Sequence, residues 1–293
     1  MDGVIVVNKS PDWTSHDVVA KMRRIAGTKK IGHLGTLDPM ATGVLPLVLN
    51  KATRLAQFYM RSEKRYQALV RFGFSTSTYD KEGERSSEPV AVDLSRTEIE
   101  AALTPFRGVL QQRPPAVSAK KIAGTPAYKL ARKNIEVDLP PVEVTIFSLD
   151  LLDAGPDWIR IDVHCSAGTY LRSLAHDLGQ SLGCGAHLEE LTRTASGDFT
   201  LAQARTLTEL EALSKEGRLN EVIVPAGQLL PQFPAEVVDQ ITATQIRQGR
   251  DFRVSPFRVA KGAQYVRALD ADGSLLAIGE VKLPNLYHPI LVF

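Results

Sequence analysis

The stretch GHLGTLDPMATG, residues 32–43, sets three glycines, a proline and two threonines around a single carboxylate. Gly32, Gly35 and Gly43 open backbone angles that other residues avoid, and Pro39 fixes its own φ while pushing the residue before it, Asp38, out of the α region. Asp followed by Pro also suits the cap and first position of a helix. A simple cap needs neither Gly35 and Gly43 nor the hydroxyls of Thr36 and Thr42, so the pattern predicts a shaped loop that fixes one acid group in place.

The flanking residues predict the elements that carry this loop. An opening strand covers residues 4–7, and TSHDVVAKMRRIAG reads as a helix with Thr14 and Asp17 as a capping box and Gly27 as its stop. Val18, Met22 and Ile25 form its apolar stripe, and Lys21, Arg23 and Arg24 its outer face. After the loop, VLPLVLN is extended and leads to a short helix around Leu55 and Phe58. KRYQALVRFGF alternates, so that Tyr66, Ala68, Val70 and Phe72 share one face of a strand and Arg65, Gln67 and Arg71 the other. Ser95 and Glu98 cap a further helix, and EVTIFSLDLL and WIRIDVHC read as strands. In GTYLRSLAHDLGQSLG apolar residues recur at Leu171, Leu174, Ala175, Leu178 and Leu182, with Arg172 off that stripe in the first turn. A linker is expected over residues 231–234. Beyond it, Asp272 and Gly273 mark a hairpin turn and HPILVF a last strand, which suggests a small β-barrel with a modest core of its own.

Charge is uneven rather than large. The net charge is +2, but residues 1–80 hold 12 Lys+Arg against 6 Asp+Glu, which leaves −4 on the remaining 213. A positive face beside the Asp38 loop points to a polyanionic partner; a solvated basic helix face is the plainer alternative. Residues 111–134 place six further basic residues among prolines and glycine, as in a surface segment that touches a ligand. At 44% hydrophobic and 23% charged the chain reads as soluble and globular, with no apolar run near the roughly 18 residues of a membrane span. Cys165 and Cys184 make no disulfide framework, and the expected compartment is the reducing cytoplasm. No G-x-x-x-x-G-K-[ST], G-x-S-x-G or H-E-x-x-H pattern occurs, and Cys165, Cys184 and His187 lack zinc-site spacing, so no metal is expected. Taken singly, Arg172 is either a solvated first-turn arginine or a partner that keeps Asp38 ionised, Tyr66 is core packing, and His33 is a turn histidine.

Together, HLGTLDPMATGVLPLVLNKATRL, KRYQALVRFG, SAKKIAGTPAYKLAR and CSAGTYLRSLAHDLGQSLGCGAHLEELTRT resemble, in this order, the bacterial TruB family of tRNA pseudouridine synthases, over about Asn8 to Phe199. The tail resembles a PUA RNA-binding domain. The resemblance implies an α+β fold with a mixed, largely antiparallel sheet flanked by helices, a catalytic domain over residues 1–230 and a PUA-like β-barrel over 235–293. It implies isomerisation of the T-loop uridine at tRNA position 55, without a cofactor. Asp38 matches the catalytic aspartate, and Tyr66 the tyrosine that stacks on the target uracil and assists removal of its C5 proton. Arg172 matches the arginine that pairs with the aspartate. Tyr170 and Leu191 match residues that line the nucleotide pocket, and His33 the histidine that holds the RNA loop open. Ser77, Val117 and Asn134 depart from the family pattern. The implied partner is tRNA, gripped at its T-stem loop and acceptor end by a monomer with no obligatory protein partner and no membrane attachment.

Two readings from other classes remain at this level: an RNA-folding chaperone, which the basic face and tail allow, and a hydrolase with an aspartyl nucleophile, which Asp38 alone suggests. Within the class, a guide-RNA-dependent relative would need protein partners, against which the compact tail argues.

Overall fold

A computed structural model describes residues 2–118, 121–122, 125–126, 139–255 and 263–293. Most of the basic stretch over 120–133, and Asn134, lie outside the described residues.

The first two strands show why the sheet is covered on both sides. Strand β1 (Gly3–Lys9) leads into helix α1 (Ser15–Ile25), whose Thr14–Asp17 capping box forms as expected, and then into β2 (Ile31–His33) and β3 (Thr42–Leu49). The runs VIVV and VLPLVL are apolar at nearly every position rather than alternating, the signature of a strand buried on two faces. Ile5, Val7, Leu45, Leu47 and Leu49 enter one core; Val4, Val6, Val44 and Val48 enter another.

After a 3-10 turn and the four-residue helix α2 (Ala56–Tyr59), β4 (Lys64–Phe72) follows with its expected alternation: Tyr66, Ala68, Val70 and Phe72 buried, Arg65 and Gln67 exposed. Helix α3 (Arg96–Leu103) and strand β5 (Gly108–Gln112) precede the short pair β6 (Lys121–Ile122) and β7 (Thr125–Pro126). Then come β8 (Val142–Ala154), β9 (Trp158–Cys165), α4 (Leu171–Ser181), β10 (Ala186–Ser196), β11 (Phe199–Thr200), α5 (Leu207–Lys215) and β12 (Ile223–Pro225).

Ten strands form one mixed sheet in the order β12-β1-β3-β10-β4-β9-β8-β5, with β2 beside β3 and β11 beside β10. Among the described residues its pairings are antiparallel except β3 with β10, which run parallel over Thr42–Gly43 and Thr192–Arg193. The expected mixed, largely antiparallel sheet is thus the observed one. Helices α1, α3, α4 and α5 cover one face through Val18, Met22, Ile99, Leu103, Leu174, Leu178 and Leu210.

The chain ends in β13 (Ala235–Val237), helix α6 (Gln240–Arg247), β14 (Phe252–Arg253), β15 (Tyr265–Leu269), β16 (Leu275–Leu283) and β17 (Leu286–Val292). These strands make a five-stranded half-barrel sheet, β13-β15-β16-β17-β14, with Asp272 and Gly273 in the β15–β16 turn. Its outer core joins Val238, Ala243, Ile246, Phe252, Val266, Leu276 and Tyr287. Its other face supplies Leu275, Ile278 and Leu291 to the cluster that holds Val4, Val6, Val44 and Val48, so it caps the back of the large sheet. At the expected linker Pro231 and Gln232 are exposed, while Leu229 and Leu230 before them are buried. Leu230 is fully buried, its N–H donates to the Tyr59 hydroxyl at 2.8 Å, and the Phe233 carbonyl accepts from Arg267 Nε at 2.9 Å. No helix of the described residues is long and apolar enough to cross a membrane.

Candidate active site

The Asp38 loop joins β2 to β3 at the centre of the large sheet, and no helix follows Pro39. Three buried groups grip its backbone. Arg193, fully buried on β10, donates through Nε to the Val44 carbonyl at 2.7 Å, through Nη2 to Gly35 O at 3.0 Å and through Nη1 to Thr36 O at 3.3 Å. Ser15 Oγ accepts from Leu37 N at 2.9 Å and donates to Leu37 O at 3.1 Å. Lys9 Nζ, equally buried, donates to the carbonyls of Ser10, Trp13 and Pro39 at 2.9, 2.6 and 2.8 Å. Burial pulls the Lys9 ammonium down to about 8, and the nearby Asp38 and Asp12 carboxylates oppose the shift.

Register explains how Arg193 reaches so many carbonyls. It lies opposite Tyr66 on β4 and opposite Gly43 on β3, next to a β-bulge between Arg193 and Ala195 that re-aims the strand. Gly43 has φ +96°, and a Cβ there would stand 2.3 Å from the Arg193 carbonyl, so the crossing of β3 over β10 requires glycine.

Asp38 itself carries a forked ion pair. Arg172 Nη2 donates to Oδ1 at 3.2 Å, and Nε lies 2.9 Å from Oδ2 at an angle poor for a hydrogen bond. The guanidinium is held from other sides as well: Nη1 donates to Thr78 O at 3.2 Å and lies 3.4 Å from Asp80 Oδ2, and Nη2 donates to Val117 O at 2.9 Å. Arg172 is therefore no solvated helix residue: its side chain is 5% exposed, against 35% for that of Asp38. The helix stripe did not predict this, because the groups that bury Arg172 come from loops far away in sequence. The first turn of α4 is fixed from the edge of the sheet, where the Gln112 side-chain amide accepts from Tyr170 N at 2.8 Å and donates to Tyr170 O at 3.0 Å.

Asp38, Tyr66, Tyr170, Arg172 and Leu191 all line one cavity of about 390 Å³, with Lys64 and Arg193 also in its wall. Burial pushes the Tyr66 phenol up, with the Arg193 guanidinium opposing, and pushes the Tyr170 phenol up as well. It pulls the Lys64 ammonium down to about 8. His33 is not in this wall; half-buried, it lies edge-on to His16 with ring centroids 5.7 Å apart, and burial lowers its imidazole pKa. Val117 offers Arg172 its backbone carbonyl, which any residue supplies, and Ser77 is exposed. Of the basic face of α1, Lys21 is tied to Glu211 at 2.7 Å, while Arg23 and Arg24 are exposed.

Residue patterns alone left Lys9, Lys64, Asp80 and Arg193 unassigned. A buried cation on a strand looks like a surface cation when only its own strand is read; the signal available was a lysine closing the apolar run VIVVN and an arginine on the inward face of LTRT. Among the described residues, no group of three His, Cys, Asp or Glu side chains comes together in a way that could hold a metal ion.

The family described as TruB family pseudouridylate synthase (N terminal domain) matches residues 23–171, and the tRNA pseudouridylate synthase B C-terminal domain matches 172–231. A protein of Solibacter usitatus named tRNA pseudouridine synthase B is 63% identical over 292 residues, covering all of both chains. One of the same name from Geobacillus thermodenitrificans is 38% identical over 301 residues, again covering all of both. Among solved structures, an H/ACA RNP bound to a substrate RNA containing 2'-deoxyuridine has a chain with TM-score 0.74 and 25% identity, matching 99% of this chain and 84% of that one. A Cbf5-Nop10-Gar1 complex gives TM-score 0.74 and 28% identity over 98% and 83%. The matched sequences and the mixed sheet thus define a pseudouridylate synthase. Within that class, the chain belongs to the TruB family.

Proposed function

We propose that this chain converts the T-loop uridine at position 55 of tRNA to pseudouridine, with Asp38 as the reacting carboxylate. The observation that carries the reading is the Asp38–Arg172 fork in the wall of a cavity that also holds Tyr66, Tyr170 and Leu191. The reaction breaks the N1–C1′ bond, turns the uracil and joins C5 to C1′; the C5 proton leaves and N1 takes one up, so no atoms are gained. An ionised carboxylate serves this either as a nucleophile toward sugar or base, or by removing the C2′ proton. Both routes need an anion in a partly dry cavity, and Arg172 supplies the counter-charge. Tyr66 covers the base and keeps the detached uracil from water. A tyrosine phenol is ordinarily neutral at pH 7 and burial pushes that of Tyr66 further up, so any share it takes in removal of the C5 proton runs through the neutral hydroxyl.

The target nucleotide reaches the cavity by leaving its stack, at a cost of a few kcal/mol that phosphate contacts offset. Exposed Arg23 and Arg24 are available for such contacts, and in this reading His33, next to the cavity-lining Leu34, holds the RNA loop open. In this reading residues 1–230 form the catalytic unit and residues 235–293 a PUA-like unit that grips the acceptor end. The chain acts as a cytoplasmic monomer on tRNA alone. Incubation with an unmodified tRNA transcript, followed by chemical mapping, tests it: pseudouridine at position 55 is the expected product, and an unmodified T loop overturns the reading.

A further inference from the structure

Helix α4 meets the loop over residues 75–83 at a contact that the chemistry above does not use. The ring of Tyr79 lies flat on that of His176, with centroids 3.8 Å apart and planes at 13°. Tyr79 has φ +64°, in the left-handed region that a residue with a side chain enters at a cost. The two residues that flank it are those that hold Arg172: Thr78 through its carbonyl and Asp80 through its carboxylate. The turn is closed on itself by Thr76 Oγ1 donating to Asp80 O at 2.6 Å and Thr78 Oγ1 donating to Asp80 Oδ1 at 2.5 Å. The Tyr79 carbonyl ties it to β10 by accepting from Leu188 N at 2.9 Å.

From the helix side, His176 stands four residues after Arg172, one turn along the same face. Its Nδ1 is buried without a hydrogen-bond partner, so that nitrogen does not fix the imidazole. The contact that the ring makes is with Tyr79. A relaxed φ at Tyr79 would turn the Thr78 carbonyl and the Asp80 carboxylate away from each other, and Arg172 would lose one of the groups that set its angle.

We propose that Tyr79 and His176 are positioning residues: their stack holds the left-handed turn that presents Thr78 and Asp80 to Arg172, and through Arg172 it fixes the approach to Asp38. The proposal rests on the reading of Asp38 and Arg172 as the reacting pair. It is a property of geometry, not of RNA contact, and it predicts an effect on turnover rather than on affinity.

Tyr79→Ala and His176→Ala, singly and together, and Tyr79→Phe and His176→Phe, are compared in kcat and KM on a tRNA transcript. Each alanine variant is expected to lose kcat by about tenfold with KM within about twofold, and the double variant to lose no more than either single one. The phenylalanine variants, which keep a flat ring in place, retain most of the rate. Wild-type kcat in both alanine variants, losses that multiply in the double variant, or phenylalanine variants as slow as the alanine ones would each overturn the proposal. No pseudouridine from the unaltered chain would overturn the reading of Asp38 together with it, which separates the two failures.

Discussion

At the scale of the residue, the site is built from charges that water does not reach. Arg172, Arg193 and Lys9 are buried, and each spends its donors on carbonyls or carboxylates that hold the Asp38 loop and its partner. An unpaired charge at such depth would be costly; here the donor sets are matched to acceptors. Lys64 differs in facing the cavity; burial lowers it, like Lys9, to about 8. Its positive charge is therefore lost as pH rises through about 8, where an exposed lysine keeps its charge to about 10. KM for tRNA is expected to rise about threefold over that window as one cation of the cavity wall disappears. Lys64→Met flattens the profile, which steady-state kinetics at about pH 7 and 9 would show. In the same window the unfolded chain binds more protons than the folded one, so the stability contribution of Lys64 rises with pH.

The elements place these residues by packing at a few points where no larger side chain fits. Gly43, at φ +96° and in contact with the Arg193 backbone, is such a point: Gly43→Ala would force β3 off β10. That substitution is expected to cost more than about 1–3 kcal/mol, read as a fall in the midpoint of urea unfolding, because steric overlap adds to backbone strain. Much at this scale was legible in the residues themselves. The capping boxes at Thr14 and Ser95, the alternation around Tyr66 and the Asp272–Gly273 turn carry local chemistry that fixes local structure whatever surrounds it. The setting of Arg172 was not legible, since its stripe on α4 says which face meets the sheet but not that loops from residues 38, 78 and 117 close over the first turn. Nor were the contacts on either side of the prolines at 231 and 234, where the Tyr59 hydroxyl accepts from Leu230 N and Arg267 donates to the Phe233 carbonyl.

For the whole molecule, the consequence of the two-sided sheet is that the half-barrel is part of the support for the site. Strand β3, which leaves the Asp38 loop, and its neighbour β1 bury Val44, Val48, Val4 and Val6 in a core completed by Leu275, Ile278 and Leu291. Each such side chain stands for about 1.5–3 kcal/mol of burial, so together they are comparable with the whole stability of a domain, about 5–15 kcal/mol. A chain truncated after residue 230 is expected to be insoluble or to melt well below the full chain, as a thermal scan would record, rather than to survive as a free catalytic unit. All of this support converges on one carboxylate. The most direct test is single-turnover pseudouridine formation by Asp38→Asn on a T-stem-loop RNA, with RNA affinity measured alongside. We predict no detectable product and an affinity within a few-fold of the unaltered chain; product formed at the unaltered rate would contradict the account.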